Sequence, residues 1–258
     1  MINIIIHGCY GRMGRILHNT ISSMENCKIV AGVDISANDH KNSFKDSLYE
    51  FPVYTNIEDC SVNADIVIDF TNYKSINGLV KYCIKHKLPV IIATTALGRE
   101  ELELLEFASS KIPIFYSSNM SVGINAIVNS IEHIVPYLEE DFNMEIIEKH
   151  HINKIDSPSG TALLLANTIN EASAEKKNYL YGRFGKDNKC NANDLCIHSV
   201  RGGTICGEHT IVFAGYNEVI EITHRAYSRD IFAIGAIRAA KFLINQENGL
   251  YSMSNLIS

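Results

Sequence analysis

The chain has seven cysteines but no Cys-x-x-Cys pair; they stand at Cys9, Cys27, Cys60, Cys83, Cys190, Cys196 and Cys206. An odd, scattered set argues for reduced thiols and a cytoplasmic setting, and against a zinc site. There is no surplus of positive charge. The net charge of -6 at pH 7 argues against a general binder of nucleic-acid backbones, so any affinity for anions must be local. No uninterrupted apolar stretch is long enough to cross a membrane. The N-terminus runs directly into Ile2-Asn3-Ile4-Ile5-Ile6, without the long apolar region and cleavage site of a secretory signal. Internal repeats and low-complexity segments are also lacking. What remains is a chain of 258 residues, 46% hydrophobic and 20% charged. That is ordinary for a soluble globular protein and enough for one large domain or two small ones.

The first half alternates. Ile2–His7 is a short, β-branched apolar run that reads as a buried strand. Gly8-Cys9-Tyr10-Gly11-Arg12-Met13-Gly14 follows, and then a helix with Ile16, Leu17 and Ile21 at helical spacing. The glycines fall at i, i+3 and i+6 instead of G-x-G-x-x-G, but the physics is the same. Gly8 permits the tight turn, Gly11 lets a pyrophosphate approach the backbone, and Gly14 lets helix and strand pack closely. A second strand, Lys28–Val33, ends in Asp34, about where a ribose-binding acid falls; a helix or turn cap is the other reading of that residue. Residues 35–50 are polar and irregular and read as a loop. Further strands are expected at Pro52–Tyr54, Ala64–Phe70, Pro89–Thr95 and Ile112–Tyr116, with helices near Tyr73–His86 and Arg99–Ser109. Alternation of this kind implies a parallel sheet covered on both faces. Ligands bind beyond the strand C-termini of such sheets, so Thr71, Thr94-Thr95 and Ser117-Ser118-Asn119 would line a cofactor site, or else cap helices.

After Ser121 the pattern changes. A helix over about Val122–Tyr137 carries the stripe Ile124, Ile127, Val128, Ile131 and Val135. Strand-like runs then appear at Phe142–His150, Leu195–Val200, Glu208–Ala214 and Glu218–His224, joined by turns at Arg201-Gly202-Gly203 and Gly215-Tyr216-Asn217. They predict an antiparallel or mixed sheet in a second, α+β domain. Residues 171–194 are polar and read as a mobile loop. Asp230–Asn245, with Ser228 as N-cap, is apolar nearly all round and so reads as a buried helix packing back on the first domain.

The stretch Glu148-Lys149-His150-His151-Ile152-Asn153-Lys154-Ile155-Asp156-Ser157-Pro158-Ser159-Gly160-Thr161 brings His150, His151 and Lys154 together at the end of a strand. Pro158 suits the first turn of a helix, so Ser159-Gly160-Thr161 would present backbone N–H groups at a helix start. Cations beside a helix N-terminus suit a small molecule bearing carboxylates; the alternative is a solvated polar loop. Neighbouring residues on a strand point opposite ways, so His150 and His151 should not share one role unless a bulge intervenes; a satisfied structural histidine is the other reading of each, of His151 before His150. A dinucleotide domain coupled to a cationic substrate domain indicates a reductase or dehydrogenase of a small anionic substrate.

The glycine motif together with Glu148-x-His150-His151-x-x-Lys154-x-Asp156-x-Pro158-Ser159-Gly160-Thr161-Ala162 closely resembles the dihydrodipicolinate (4-hydroxy-tetrahydrodipicolinate) reductase family. Ser118-Asn119-Met120-Ser121-Val122-Gly123-Ile124-Asn125, Gly207-Glu208-His209-Thr210, Glu221-Ile222-Thr223-His224-Arg225 and Ser228-Arg229 extend the resemblance over essentially the whole chain. It implies reduction of 4-hydroxy-tetrahydrodipicolinate with NAD(P)H in lysine and diaminopimelate biosynthesis. The architecture implied is α/β: a Rossmann-type domain, residues 1–121 completed by 229–258, and an α+β substrate and oligomerisation domain, 122–228, with an open mixed sheet that builds a homotetramer. By position, His150 would be the general acid/base and Lys154 a second proton donor or carboxylate-orienting cation. His151, Gly160 and Thr161 would bind substrate. Cofactor contacts would come from Gly8, Cys9, Tyr10, Gly11, Arg12, Met13, Asp34, Ala93, Thr94, Thr95, Ser117, Ser118, Asn119 and Met120. No metal, nucleic acid or membrane is implied.

Two departures from the family pattern matter. Ala93-Thr94-Thr95-Ala96 stands where Gly-Thr-Thr-Gly is common. Ile35 follows the ribose acid where members that hold a 2′-phosphate often have Arg. An acid without that Arg should repel a 2′-phosphate, which predicts a preference for NADH, with Arg12 and Lys41 as the groups that would permit NADPH. The rivals are another two-domain nicotinamide enzyme, which leaves the His-His-x-x-Lys and Ser-Gly-Thr pattern unexplained, and a redox-sensing module, which lacks a basic partner-binding helix.

Overall fold

The computed structural model describes residues 1–37, 49–186 and 189–257. Most of the loop expected at residues 35–50, and Lys41 with it, lies outside the described residues. The chain divides into two compact units, Met1–Val122 with Arg229–Ser258, and Gly123–Ser228.

The first unit is built on β1 (Ile2–His7), α1 (Arg12–Ser22), β2 (Cys27–Val33), β3 (Val53–Tyr54), β4 (Ile66–Asp69), α2 (Ile76–His86), β5 (Val90–Ile92), α3 (Arg99–Ser109) and β6 (Pro113–Tyr116). Its strands run in the order 3-2-1-4-5-6, all parallel, so β1 and β4 lie side by side at the point where the order reverses. The β-branched strands are buried on both faces. Ile4, Ile6 and Ile68 pack with Leu17 and Ile21 of α1 on one side, and Ile5 and Val67 pack with Leu79 and Val80 of α2 and Leu105 of α3 on the other. Alternate residues of one strand thus fill two separate cores, which is the reason the runs read as continuously apolar.

In the second unit α4 (Val122–Leu138), which opens on the boundary residue, is followed by β7 (Asn143–His150), α5 (Gly160–Ala172), β8 (Asn178–Leu180), β9 (Asp194–Arg201), β10 (Gly207–Gly215) and β11 (Glu218–Ala226). The sheet is mixed, in the order β11-β10-β7-β9-β8; β7, β9 and β8 run parallel, and β10 is antiparallel to β7 and β11. Ile131 and Val135 of α4 and Leu165 and Ile169 of α5 cover one face, against Met144, Ile146, Ile197, Ile211 and Phe213. Ile127 and Val128 of the expected stripe are only partly buried there.

The chain returns to the first unit in α6 (Asp230–Leu243), whose Ala233, Ala236, Ile237, Ala240 and Leu243 join the core of Ile4 and Leu17. The small residues let this helix come close; a Cβ on Gly235 would lie 1.7 Å from the Met120 carbonyl oxygen. Beyond it, β12 (Gly249–Tyr251) pairs in parallel with β6 as a seventh strand, and α7 (Met253–Ile257) ends the described chain.

Three sequence expectations change. The N-cap of α6 is Arg229, not Ser228. Pro158 stands outside α5, joined to Ser157 by a cis peptide, and Ser159 is the N-cap, its Oγ accepting from Ala162 N at 3.2 Å. The segment 171–194 contains β8, a three-residue edge strand too short for its periodicity to register. The C-terminal β12 and α7 had no helix- or strand-length signal either.

Candidate active site

In the first unit the loop after β1 makes a cradle at the sheet's switch point, where open α/β sheets bind ligands. Gly8 has φ +87°, and a Cβ on it would lie 2.9 Å from Thr71 Cγ2 and 3.2 Å from the Phe70 carbonyl oxygen. A Cβ on Gly14 would fall 2.1 Å from the Gly8 carbonyl oxygen and 2.7 Å from Cys9 Cα, so only glycine allows α1 to start this close to the turn. Gly11 is the N-cap of α1 and has no side chain to cover the first N–H groups. Bare N–H groups at the positive end of a helix fit a pyrophosphate.

Two cavities sharing Phe70 adjoin this cradle. One, of about 270 Å³, is lined by Arg12, Met13, Ala93, Thr95, Ser118, Asn119 and Met120, and also by Arg229 and Phe232. The other, of about 290 Å³, is lined by Gly8, Gly11 and Asp34 among others. Asp34 lines this second cavity, and it caps the turn: it accepts from Tyr10 N (3.0 Å), Ser36 N (3.0 Å) and Ser36 Oγ (2.7 Å), which fixes the loop.

The other four residues expected at the cofactor stand behind the walls. Cys9 is fully buried, its thiol pushed up to about 12 by burial and by Asp34. Its carbonyl accepts from Tyr49 Oη at 2.7 Å. Tyr10 stacks on Tyr49 with ring centroids 5.4 Å apart. Ser117 Oγ donates to the Asn119 carbonyl at 2.8 Å. Thr94 Oγ1 donates to Asp69 Oδ2 at 2.6 Å. Asp69, fully buried at the end of β4, also bonds His7 Nδ1 (2.8 Å) and Thr71 Oγ1 (2.6 Å), tying together three strand ends beneath the cradle.

In the second unit the strand period of two puts Glu148 and His150 on the same, buried side of β7. Glu148 is wholly buried and accepts four bonds: His150 Nδ1 to Oε2 (2.5 Å), Arg201 Nη1 to Oε2 (2.7 Å), Arg201 Nη2 to Oε1 (2.8 Å) and Ser159 N to Oε1 (3.2 Å). Burial alone would raise its pKa, but these donors, Arg201 above all, hold the carboxyl down at about 2. His150 is lowered from the ordinary histidine range by burial, partly offset by Glu148. The His209 ring stands edge-on to His150 at 5.1 Å, and His209 Nε2 lies 2.9 Å from Ser159 Oγ. Burial and the neighbouring His150 push His209 down to about 4, so it is neutral near pH 7. Gly207 leaves room for the ring; a Cβ there would lie 3.2 Å from His150 Nε2.

His151 lies just past the strand end and is half-buried. Lys154 Nζ pairs with Asp156 Oδ1 at 2.9 Å, and the Asp156 carbonyl accepts from Arg201 Nη2 at 2.6 Å. Gly160 and Thr161 form the first turn of α5, directly after Ser159. The second unit therefore gathers His150, His151, Lys154 and the α5 start around β7. Sequence reasoning left out Glu148, Arg201 and His209 as site residues. The period of β7 pairs Glu148 with His150, whereas Arg201 was read only as a turn. Elsewhere in this unit Glu145, Cys196 and His198 bring three potential metal-ligand atoms within 4.8 Å of one another. There the Arg183 guanidinium already sits on Glu145 at 2.7 Å, and His198 Nε2 bonds the other oxygen at 2.6 Å.

The strand order, the glycine cradle and the acid after β2 place the first unit among Rossmann-type NAD(P)-binding domains, which makes the chain an oxidoreductase of the nicotinamide class. Comparison with known proteins narrows this. Residues 2–120 match the family model for the N-terminus of dihydrodipicolinate reductase, and residues 123–257 match the model for its C-terminus. The 4-hydroxy-tetrahydrodipicolinate reductase of Caldanaerobacter subterraneus subsp. tengcongensis is 48% identical over all of this chain and 98% of its own length. That of Clostridium tetani is 46% identical, with the same coverage. A solved dipicolinate-bound dihydrodipicolinate reductase from Paenisporosarcina sp. TG-14 superposes with a TM-score of 0.77 at 26% identity, covering 98% of this chain and 97% of that one. The chain belongs to the dihydrodipicolinate reductase family.

Proposed function

We propose that this chain reduces 4-hydroxy-tetrahydrodipicolinate to tetrahydrodipicolinate, with loss of water, at the reduction step of lysine and diaminopimelate biosynthesis. The observation that carries the reading is the buried Glu148–His150 pair beside the capped start of α5, in a chain whose first unit is a dinucleotide cradle. Bound NAD(P)H supplies the hydride. The chain's own residues do the rest. His150, with Nδ1 engaged by Glu148, presents Nε2 as the atom that gives up a proton to the ring as negative charge develops there. Lys154 and His151 hold one substrate carboxylate, and the first turn of α5, with Gly160 and the Thr161 hydroxyl, holds the other. In the first unit Gly8, Gly11, Arg12 and Met13 cradle the pyrophosphate, and Cys9 and Tyr10 shape that loop. Asp34 takes the ribose hydroxyls, and Ala93–Thr95 with Ser117–Met120 line the nicotinamide side. Arg229 is a further cation on that cavity.

The carboxylate of Asp34, with exposed Ile35 next to it, disfavours a 2′-phosphate, so NADH is the preferred donor. The mixed sheet carries Ile147, Val212 and Val219 on the face opposite α4 and α5, with Val219 60% exposed. Pairing of such faces supports a homotetramer, which light scattering after gel filtration would test. All seven cysteines are free and no helix among the described residues is long and apolar enough to cross a membrane; the free thiols fit a reducing, cytoplasmic setting. The reaction is tested by following NADH oxidation while the upstream synthase generates the unstable substrate. Oxidation that needs the synthase, and that dipicolinate inhibits competitively, is the expected result. A chain that oxidises no NADH under those conditions would overturn the assignment.

A further inference from the structure

The four bonds on Glu148 have a feature that a simple acid–histidine pair lacks. Its two oxygens serve different elements: Oε2 takes His150 Nδ1, and Oε1 takes the backbone N–H of Ser159, the N-cap of α5. Arg201 reaches both oxygens from β9 with two guanidinium nitrogens, at 2.7 and 2.8 Å. A carboxylate has about four acceptor sites, and all four are used. The planar fork of arginine matches a carboxylate edge-on, so the group cannot rotate without breaking two charge-assisted bonds. We infer that Glu148, clamped by Arg201, is a positioning residue for both halves of the substrate site: one oxygen sets the tautomer and ring angle of His150, and the other sets the first turn of α5 that receives a carboxylate. This rests on the roles given above to His150 and to Gly160-Thr161.

The charges around His150 show what Glu148 must oppose. Arg201 faces it from β9 and Lys154 from the segment after β7, and both disfavour a proton on the ring, as does burial; the His209 ring, neutral near pH 7, stands edge-on to it from β10. His224 on β11 stands opposite His209 in the strand ladder, and Asp156 is engaged by Lys154. Glu148 is the carboxylate in direct contact with His150 among the described residues. Without it, the uncompensated Arg201 guanidinium would add to the positive field, and either ring nitrogen would be free to carry the proton. With Glu148 in place the neutral ring keeps its proton on Nδ1, so Nε2 is the atom that takes up and gives up the catalytic proton; a neutral ring protonated on Nε2 instead could not take one up there.

Glu148→Gln keeps the shape and removes the charge, and it is the variant to test on the full chain. The chemical shifts of His150 in ¹⁵N-labelled protein report its tautomer and midpoint directly, and steady-state kinetics give the pH limb of kcat and KM for each substrate. The expected result is a His150 midpoint lower by about one pH unit or more. The kcat limb should move down with it, substrate KM should rise several-fold, and NADH KM should stay unchanged. A His150 midpoint and tautomer equal to wild type in folded Glu148→Gln would overturn the inference. If that variant does not fold, Arg201→Lys, which keeps the charge and loses the fork, carries the same test: a raised substrate KM with a shifted His150 midpoint supports it, and wild-type values for both refute it. His150→Gln separates the two layers. If the wild-type pH limb persists in His150→Gln, the acid has been misassigned; if it vanishes there but stays in place in Glu148→Gln, the positioning role fails alone.

Discussion

Replacing Gly14 with alanine tests whether the cradle is built as described. A Cβ at that position would lie 2.1 Å from the Gly8 carbonyl oxygen, and 2.7 Å from both Cys9 Cα and the Cys9 carbonyl oxygen, where ordinary contacts start near 3.4 Å. All three atoms belong to backbone, so no side chain can swing aside. Either α1 moves out by more than 1 Å or the turn at Gly8 is pushed toward the cavity. Moving the helix opens its packing against α6 and β2, where Leu17 and Ile21 are fully buried. Overpacking of this kind costs about 1–3 kcal/mol, and each kcal/mol lowers Tm by about 2–4 °C in a chain of this size. Displacing the phosphate-binding turn by about 1 Å weakens function on the order of a hundredfold. Thermal unfolding and a fluorescence titration with NADH measure the two effects. Gly78→Ala is the control: Gly78 lies in α2 with open space around its missing Cβ, so alanine there should stabilise by about 0.5–1 kcal/mol and leave NADH binding as it was. A Gly14→Ala protein with wild-type Tm and wild-type affinity for NADH would refute the cradle.

Other consequences follow from single contacts. The ratio of kcat/KM for NADH over NADPH should exceed one and fall about tenfold in Asp34→Asn, the Coulombic cost of one close like charge near water; a tenfold preference for NADPH in the wild type would contradict this. Lys154→Met should raise substrate KM by about ten- to a hundredfold, the worth of a charge-assisted hydrogen bond, with NADH KM unchanged; equal effects on both would remove Lys154 from the substrate side. His209 titrates at about 4 when folded against its usual 6.5, so the unfolded chain binds the extra proton between those values. Its contribution is complete above pH 6.5 and is lost as the pH falls toward 4, by about 1.4 kcal/mol per unit and ~3 kcal/mol in all. Glu148, held at about 2 against its usual 4.5, adds a loss that sets in as the pH falls through that usual value and continues down to about 2. Urea denaturation at pH 7, 5.5 and 4.5 should show the first loss, and His209→Gln should flatten it; identical pH slopes would contradict the burial argument.

The first unit was largely legible in the chain because its signals are local. Ile2–His7, the glycine spacing and Asp34 are each read within a few residues, and right-handed parallel topology leaves few ways to arrange them. The second unit was legible in class, a mixed sheet, but not in detail. Its β8 is three residues long, and β7 and β9 pair in parallel across the intervening α5, a separation that no local pattern records. The same limit applies to the site. His150, His151, Lys154, Gly160 and Thr161 lie in one stretch and announced themselves. Glu148 sat in that stretch as part of a motif, yet its work depends on Arg201, 53 residues on, and on Ser159, 11 residues on. Arg229 and Phe232 on the cavity beside the glycine cradle are more than a hundred residues from Met120, and only the return of the chain in α6 brings them there. Hydroxyls at strand ends were ambiguous for a physical reason: Thr94 and Ser117 satisfy neighbouring acceptors, while Thr95 and Ser118 face the cavity.

The most direct test of the central claim is the rate of synthase-coupled NADH oxidation by His150→Ala against wild type, at saturating NADH and substrate. With His150 as the proton donor, kcat should fall by about 10²–10⁴-fold, the usual contribution of general acid catalysis, while the variant stays folded and binds NADH normally. A His150→Ala protein that turns over within a few-fold of wild type would show that the proton comes from elsewhere, and the account of the second unit would fall with it.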